Sequence, residues 1–410
     1  MAGAAGAEEI AVTGVGLVTP GGVGVGATWA AVCAGVGTAA TDPALRGLPV
    51  NLSCRVPESP EGGGGGRLWR FDRGTRFLLT AAQEALESAK LEQGAWDPGR
   101  VAVVVGTAAG GVGTLEEQHR RLLASGPRAV SPMTMPAFLP NMAAGQLALE
   151  LGVTGPSLQV STACASGATA LVTAVLLLRS GMCDIAVAGG ADAMVTPLCA
   201  AAFAKMGALS RRDREPGSAS RPFDRDRDGF VLGEGAGVLV LERRRYADAR
   251  GARPFALLAG YGATGDAHHA TAPHPRGAGL RAATAAALAS AGAAPADVGH
   301  VNAHGTSTPL NDRVEAAAVR ELYPHGPSVT SAKGVLGHTM GAAGGIEAAL
   351  TVLSVARQLV PPTANFTAPD DSAAGLDVVH GAARAQPVRL AVSNSLGFGG
   401  HNTVLAFTAV

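Results

Sequence analysis

Lysine occurs at only three of the 410 positions, Lys90, Lys205 and Lys333, and aromatic residues make up 4% of the chain. The basic residues are otherwise arginine, a bias that fits GC-rich coding more than function but leaves Lys333 conspicuous. The formal net charge is +0 and no block of like charges occurs, which argues against nucleic acid or an anionic membrane as a partner. No run reaches the roughly 20 apolar residues that span a bilayer. The N-terminal MAGAAGAEEIAVTGVG has acids and no basic segment, unlike a secretion signal, so a cytoplasmic location is expected. The five cysteines, Cys33, Cys54, Cys164, Cys183 and Cys199, show neither zinc-type pairing nor the density of a disulfide scaffold. They read as free thiols, one of them a candidate for reactivity.

What is present is a chain 47% hydrophobic, long enough for two or three domains. Short β-rich runs alternate with helical ones, which predicts an α/β fold with mainly parallel, buried strands. Strands are expected at 9–16, 101–107, 157–162, 184–190, 235–242, 255–262, 298–304, 328–332 and 389–397. Alanine-rich helices are expected at 75–90, 140–151, 166–180, 279–291, 312–322 and 342–358. Five consecutive glycines at 62–66 predict a flexible surface loop, and the polar run 210–228 a long charged one. Two halves, 1–252 and 253–410, meet at the segment 250–254. They rhyme: each has a strand, a reactive-looking residue at a small-residue turn, then a long small-residue helix.

Four stretches carry chemistry. In 157–167, SLQVSTACASG, a strand runs into a tight turn with Cys164 at the start of a helix, where the dipole favours a thiolate; alone, a buried structural cysteine is an equal reading. In 301–312, VNAHGTSTPLND, a strand ends at His304, followed by Thr306 and Thr308, which suit polar contacts to an amide-rich arm; a hydrogen-bonded histidine beside a threonine-rich turn is the plainer alternative. In 331–347, SAKGVLGHTMGAAGGIE, Lys333 and His338 share a loop upstream of Glu347, a set able to orient an imidazole, or else a surface ion pair of little energy. In 394–402, NSLGFGGHN, glycines including Gly399 permit a turn whose N–H groups could hold an oxyanion, with Phe398 over the cleft; a plain turn between strands is the other reading. The candidates all fall at strand ends, where α/β sheets place their sites. Zinc is disfavoured because the cysteines and histidines are scattered singly. The glycines of 106–113 and 187–194 match a dinucleotide loop only loosely.

Taken together, these stretches resemble the elongating β-ketoacyl-acyl carrier protein synthases of thiolase-like fold. Further stretches that carry the likeness are VTGVGLVTP (12–20), FDRDRDGFVLGEGAGVLVLE (223–242) and GDAHHATAP (265–273). The resemblance implies a five-layered αβαβα fold of two similar halves, the first bearing the nucleophile and the second the histidines and lysine. It implies that Cys164 takes an acyl chain from the phosphopantetheine arm of acyl carrier protein. His304 and His338 would stabilise the enolate left by malonyl decarboxylation, Lys333 and Glu347 would tune them, and Thr306 and Thr308 would hold pantetheine. The N–H groups of Cys164 and Phe398 would form the oxyanion hole. No metal or other cofactor is implied. The partner is acyl carrier protein, in a homodimer or a heterodimer with a chain-length factor.

The letters also separate near relatives. Initiating synthases pair Cys with His and Asn, whereas His338 stands here; thiolases use a second, C-terminal Cys, and none follows Cys199. Chain-length factors lack the nucleophile. Ala109 replaces a bulkier acyl-pocket gate residue, and His401 and Met206-Gly207 also depart from the fatty acid pattern. Fatty acid elongation and type II polyketide or polyene synthesis therefore both stay open, as does a non-condensing acyltransferase on the same fold.

Overall fold

The computed structural model describes residues 8–57, 71–92 and 94–410; the glycine run at 62–66 lies outside them. The main strands are β1 (Ile10–Thr19), β2 (Val101–Gly106), β3 (Ser157–Val160), β4 (Ile185–Asp192), β5 (Gly235–Arg243), β6 (Ala256–Gly265), β7 (His300–Asn302), β8 (Ser328–Thr330), β9 (Asp377–Val378), β10 (Leu390–Gly397) and β11 (His401–Thr408). The main helices are α1 (Val25–Ala34), α2 (Arg73–Ser88), α3 (Val112–Ser125), α4 (Met142–Leu151), α5 (Ser166–Arg179), α6 (Pro197–Lys205), α7 (Ala278–Ala291), α8 (Pro309–Leu322) and α9 (Ala343–Arg357).

The strands lie in the order β9-β8-β7-β10-β11-β6-β1-β5-β4-β2-β3. Reading outward from the centre, β1-β5-β4-β2-β3 on one side is matched by β6-β11-β10-β7-β8 on the other. The two sets join where β1 pairs with β6 over Ala11↔Leu257 and Val12↔Ala256. In each set the inner two pairings are antiparallel and the outer two parallel. The expectation of mainly parallel strands is thus corrected to a mixed sheet. Apolar runs such as Val101–Gly106 report that both faces are covered, which says nothing of direction when helices cover antiparallel strands too. Strand β11 is the partner that a turn between strands at 394–402 implies, although no range was expected for it.

Helices α5 and α9 fill the middle layer, with the two halves of the sheet on either side and α2 and α7 packed on the outer faces. Helix α9 has 13 of its 15 residues buried, so it is apolar or small on every face rather than amphipathic. The crossing of α5 and α9 needs glycine: a Cβ on Gly167 would stand 2.5 Å from the backbone nitrogen of Gly345. Close backbone approach at that point lets Leu171, Val175, Ile346 and Leu350 join one continuous core.

The run 210–228 is the long charged loop expected, and part of its charge turns inward. Asp224 is fully buried and accepts from Arg221 Nε, the Asp226 N–H, the Thr367 N–H and hydroxyl, and the Ala368 N–H. Those donors hold its carboxyl down at about 2 against the cost of burial. Buried Arg221, Asp224 and Arg227 pin the loop beside the site, while Arg211, Asp213, Arg214, Glu215, Arg225, Asp226 and Asp228 stay exposed.

The crossing makes a prediction. Gly167→Ala should overpack the middle layer and cost about 1–3 kcal/mol, seen as a lowered midpoint in thermal or urea unfolding. An unchanged midpoint would contradict the close-packed crossing.

Candidate active site

Strand ends deliver most of the candidate residues to one cavity of about 730 Å³, whose lining does not include Lys333 or Glu347. Cys164 lies between β3 and α5, His304 two residues past β7, Lys333 three residues past β8, and Phe398 directly after β10. Cys164, His304, His338, Thr306, Thr308 and Phe398 line the cavity.

The turn before Cys164 is strained. Ala163 has φ 51, a left-handed conformation that costs a non-glycine residue about 1–2 kcal/mol. Ser166 holds it there: its hydroxyl donates to the Ala163 carbonyl at 2.6 Å and accepts from the Thr162 N–H at 2.9 Å. Burial pushes the Cys164 thiol up to about 12, although the Lys333 charge pulls it down. Burial therefore opposes the thiolate that a helix start favours.

Lys333 is 2% exposed. Its ammonium forms an ion pair with Glu347 Oε1, donates to the His304 carbonyl at 2.6 Å and lies 3.4 Å from His304 Nδ1. Because an ammonium only donates, His304 Nδ1 is the acceptor and its proton sits on Nε2. His338 reaches the same state by another route: its Nδ1 accepts from the Met340 N–H at 3.3 Å. The two rings stand edge to face, 5.4 Å between centroids. Burial first, and then the Lys333 charge, push both imidazoles well below their ordinary value. Both are neutral at pH 7 and turn an Nε2–H to the cavity. Glu347 is pushed up to about 7 by burial, with Lys333 opposing.

Thr306 and Thr308 share a hydroxyl–hydroxyl bond of 2.8 Å on the wall. Phe398 belongs to an aromatic chain running through Phe203 and Phe230 to His338. Gly399, φ 86, sits exposed at the tip of the β10–β11 turn, outside the cavity lining, and its N–H donates to the Ala270 carbonyl. Ala109 also falls outside the lining; Ala108 is the wall residue on that loop. Met206, Gly207 and His401 all face the cavity. Cys54, Cys183 and Cys199 are buried and Cys33 half-buried.

The sequence reading missed three contributors. Glu315, on α8, accepts from the His304 and Gly305 N–H groups, each at 2.8 Å, and so aims the strand end that bears His304. Asp192 accepts from loops of both halves. Met340 lines the cavity with φ 53. A lone acid on a largely apolar helix face was the available signal for Glu315; strand-end Asp192 had none. Among the described residues no group of three or more His, Cys, Asp or Glu side chains is arranged to hold a metal ion, and no helix is long and apolar enough to cross a membrane.

Comparison with known proteins agrees with this geometry. Residues 7–247 match the N-terminal domain of beta-ketoacyl synthases and residues 255–367 the C-terminal domain. A "3-oxoacyl-[acyl-carrier-protein] synthase 2" of Synechocystis sp. is 45% identical over 341 residues, 82% of either chain. Its namesake in Staphylococcus aureus is 43% identical over the same share. Among solved structures, the ishigamide ketosynthase/chain length factor aligns with TM-score 0.92 and 33% identity over 99% of this chain and 100% of that one. A type II polyketide ketosynthase, bound to a hexaketide and in complex with its acyl carrier protein, aligns with TM-score 0.92 and 31% identity over the same shares. With its thiolase-like αβαβα layers and its matched halves, this chain belongs to the β-ketoacyl synthase family.

Proposed function

We propose that this β-ketoacyl synthase elongates an acyl chain by two carbons, through decarboxylative condensation of malonyl-acyl carrier protein with a chain held on Cys164. The observation that carries the reading is the meeting of Cys164 with two neutral, Nε2–H histidines in one cavity. In the first half-reaction the Cys164 sulfur attacks the acyl thioester, and the thiol proton leaves with the pantetheine sulfur. The N–H groups of Cys164 and Phe398 stabilise the tetrahedral oxyanion, a contribution of about 3 kcal/mol per donor. A covalent intermediate splits one difficult step into two.

In the second half-reaction the bond between the malonyl carboxylate and Cα breaks and carbon dioxide departs. Its electron pair becomes an enolate whose oxygen lies between the Nε2–H groups of His304 and His338. The enolate carbon attacks acyl-Cys164, the C–S bond breaks, and the thiolate takes up a proton. Neutral donors suit this step, since an imidazolium would also protonate the carbanion. Lys333 and Glu347 hold His304 in its tautomer, and Thr306 and Thr308 hold the pantetheine amides. Ala108 bounds the acyl chain on that loop, with Ala109 one residue behind the wall. The reading calls for no metal or other cofactor.

Several features support the wider assignment. Exposed Lys205, Arg211 and Arg214 flank the cavity residues Met206 to Ala208 and suit the anionic phosphodiester of a carrier-bound arm. Strand β3 ends the sheet, and the helices beside it expose Leu149 and Leu176. That edge fits a second ketosynthase-type chain, as a homodimer or with a chain-length factor. We place the division between the halves at 252/253, within the interval between the two family segments. Fatty acid and polyketide chains both remain within the reading, since the relatives include both kinds.

Cys164→Ala should abolish self-acylation by acyl-carrier protein and product formation, read by intact-protein mass spectrometry. Cys164→Gln should still release carbon dioxide from malonyl-carrier protein, because the histidines remain. Condensation by the alanine variant would sink the assignment. Acylation of an amine or alcohol without carbon dioxide release would establish a non-condensing acyltransferase instead. A second prediction concerns pH. With the Cys164 thiol raised to about 12, its alkylation by iodoacetamide should climb steadily from pH 7 to pH 10, about tenfold per unit. A plateau by pH 8 would show a thiolate already present.

A further inference from the structure

Asp192 closes strand β4 and is 1% exposed. No step above uses it, yet its carboxylate joins two loops from different halves of the chain. Oδ1 accepts from the Thr107 hydroxyl at 2.5 Å, and Oδ2 from the N–H groups of Ala108 at 2.8 Å and Gly341 at 2.7 Å. One loop supplies the cavity wall at Ala108, and the other follows His338.

The second loop has an unusual backbone. Met340 has φ 53, and as a bulky residue it keeps this conformation only if its surroundings impose it. The carboxylate grips the next N–H, that of Gly341. There is room for nothing larger at 341, where a Cβ would stand 2.3 Å from Asp192 Oδ2 and 2.4 Å from the Ala108 nitrogen. With its peptide held in this way, Met340 turns its own N–H onto His338 Nδ1. His304 has Lys333 to fill its Nδ1; for His338 only this backbone N–H does so among the described residues.

We propose that Asp192 is the positioning residue for His338: through Gly341 and the left-handed Met340 it keeps Nδ1 occupied and so commits the proton to Nε2. The chain carboxylate–backbone–imidazole does for His338 what a carboxylate in direct contact does for the histidine of a serine protease, namely hold one tautomer and one orientation. The same grip sets the distance between the Ala108 wall and the His338 loop. This inference rests on the condensing reading, because it assigns His338 to malonyl decarboxylation.

The two half-reactions separate the possibilities. Cys164 acylation depends on the α5 turn and the oxyanion donors, while carbon dioxide release depends on the histidines. Asp192→Ala should lower malonyl decarboxylation on the order of 10²-fold, the effect of losing one aligned donor, while Cys164 acylation changes less than about threefold. Asp192→Asn should recover most of the loss, because its oxygen can take the Ala108 and Gly341 N–H groups while its amide donates to Thr107. Gly341→Ala, which forces the same loops apart, should reproduce the alanine phenotype and decides the matter if Asp192→Ala is insoluble. Equal loss of both half-reactions in Asp192→Ala, or an asparagine variant as poor as alanine, would overturn the positioning role. Absence of decarboxylation by the unmodified protein would instead count against the condensing reading itself.

Discussion

The ammonium of Lys333 lies where almost no water reaches, against the Glu347 carboxylate, the His304 carbonyl and the His304 ring. Withdrawing such a charge from water costs several kcal/mol, and removing one partner of a buried pair typically costs about 3–5 kcal/mol. The site accepts that cost because the charge does two things at once. It fills His304 Nδ1, which places the proton on Nε2, and its field adds to burial in keeping both imidazoles from becoming cations. A histidine in water would be part-protonated near neutrality and free to choose either tautomer. Here neither freedom remains, and the chemistry depends on that loss.

The fold makes such a site affordable. Small residues bring α5 and α9 into backbone contact at Gly167 and Gly345, and that crossing puts the Cys164 turn of one half beside the histidine loops of the other. Each half delivers its groups at strand ends, and carboxylates do the fine adjustment. Glu315 aims the His304 strand end and Glu347 steadies Lys333. Every one of these acids is buried, so each is bound to N–H, hydroxyl or ammonium donors rather than to water. The left-handed residues Ala163 and Met340 store a little strain beside Cys164 and His338, the two groups proposed to act on substrate. Both are held by neighbours that survive only in the folded chain.

Much of this was legible in the residues. A rare lysine beside a histidine, a cysteine at a strand-to-helix turn and a glycine turn near the end were enough to bring Cys164, His304, Lys333, His338 and Phe398 together. The long apolar strands were legible for the same reason: burial on both faces leaves an unbroken run of Val, Ile, Leu and Ala. What could not be read depended on geometry that letters do not carry. Strand direction leaves no mark when both faces are covered, so the antiparallel centre was missed. A one-residue step separates Ala108 on the cavity wall from Ala109 behind it, and spacing cannot resolve it. Desolvation of Cys164 opposes the effect of the helix end, and only the enclosing atoms reveal it. Within 210–228, only partners far away in sequence, such as Thr367 and Asp370, show that Asp224 and Arg227 turn inward while most of the other charges stay exposed.

The claim at the centre is that both histidines remain neutral with the proton on Nε2. ¹⁵N NMR of the histidine-labelled protein between pH 5.5 and 8 addresses it directly, with His304→Asn and His338→Asn variants assigning the signals. The account predicts, for each ring, one protonated and one lone-pair nitrogen that persist unchanged down to pH 6. Doubly protonated rings that appear with a midpoint near the ordinary imidazole value of about 6.5 would contradict it.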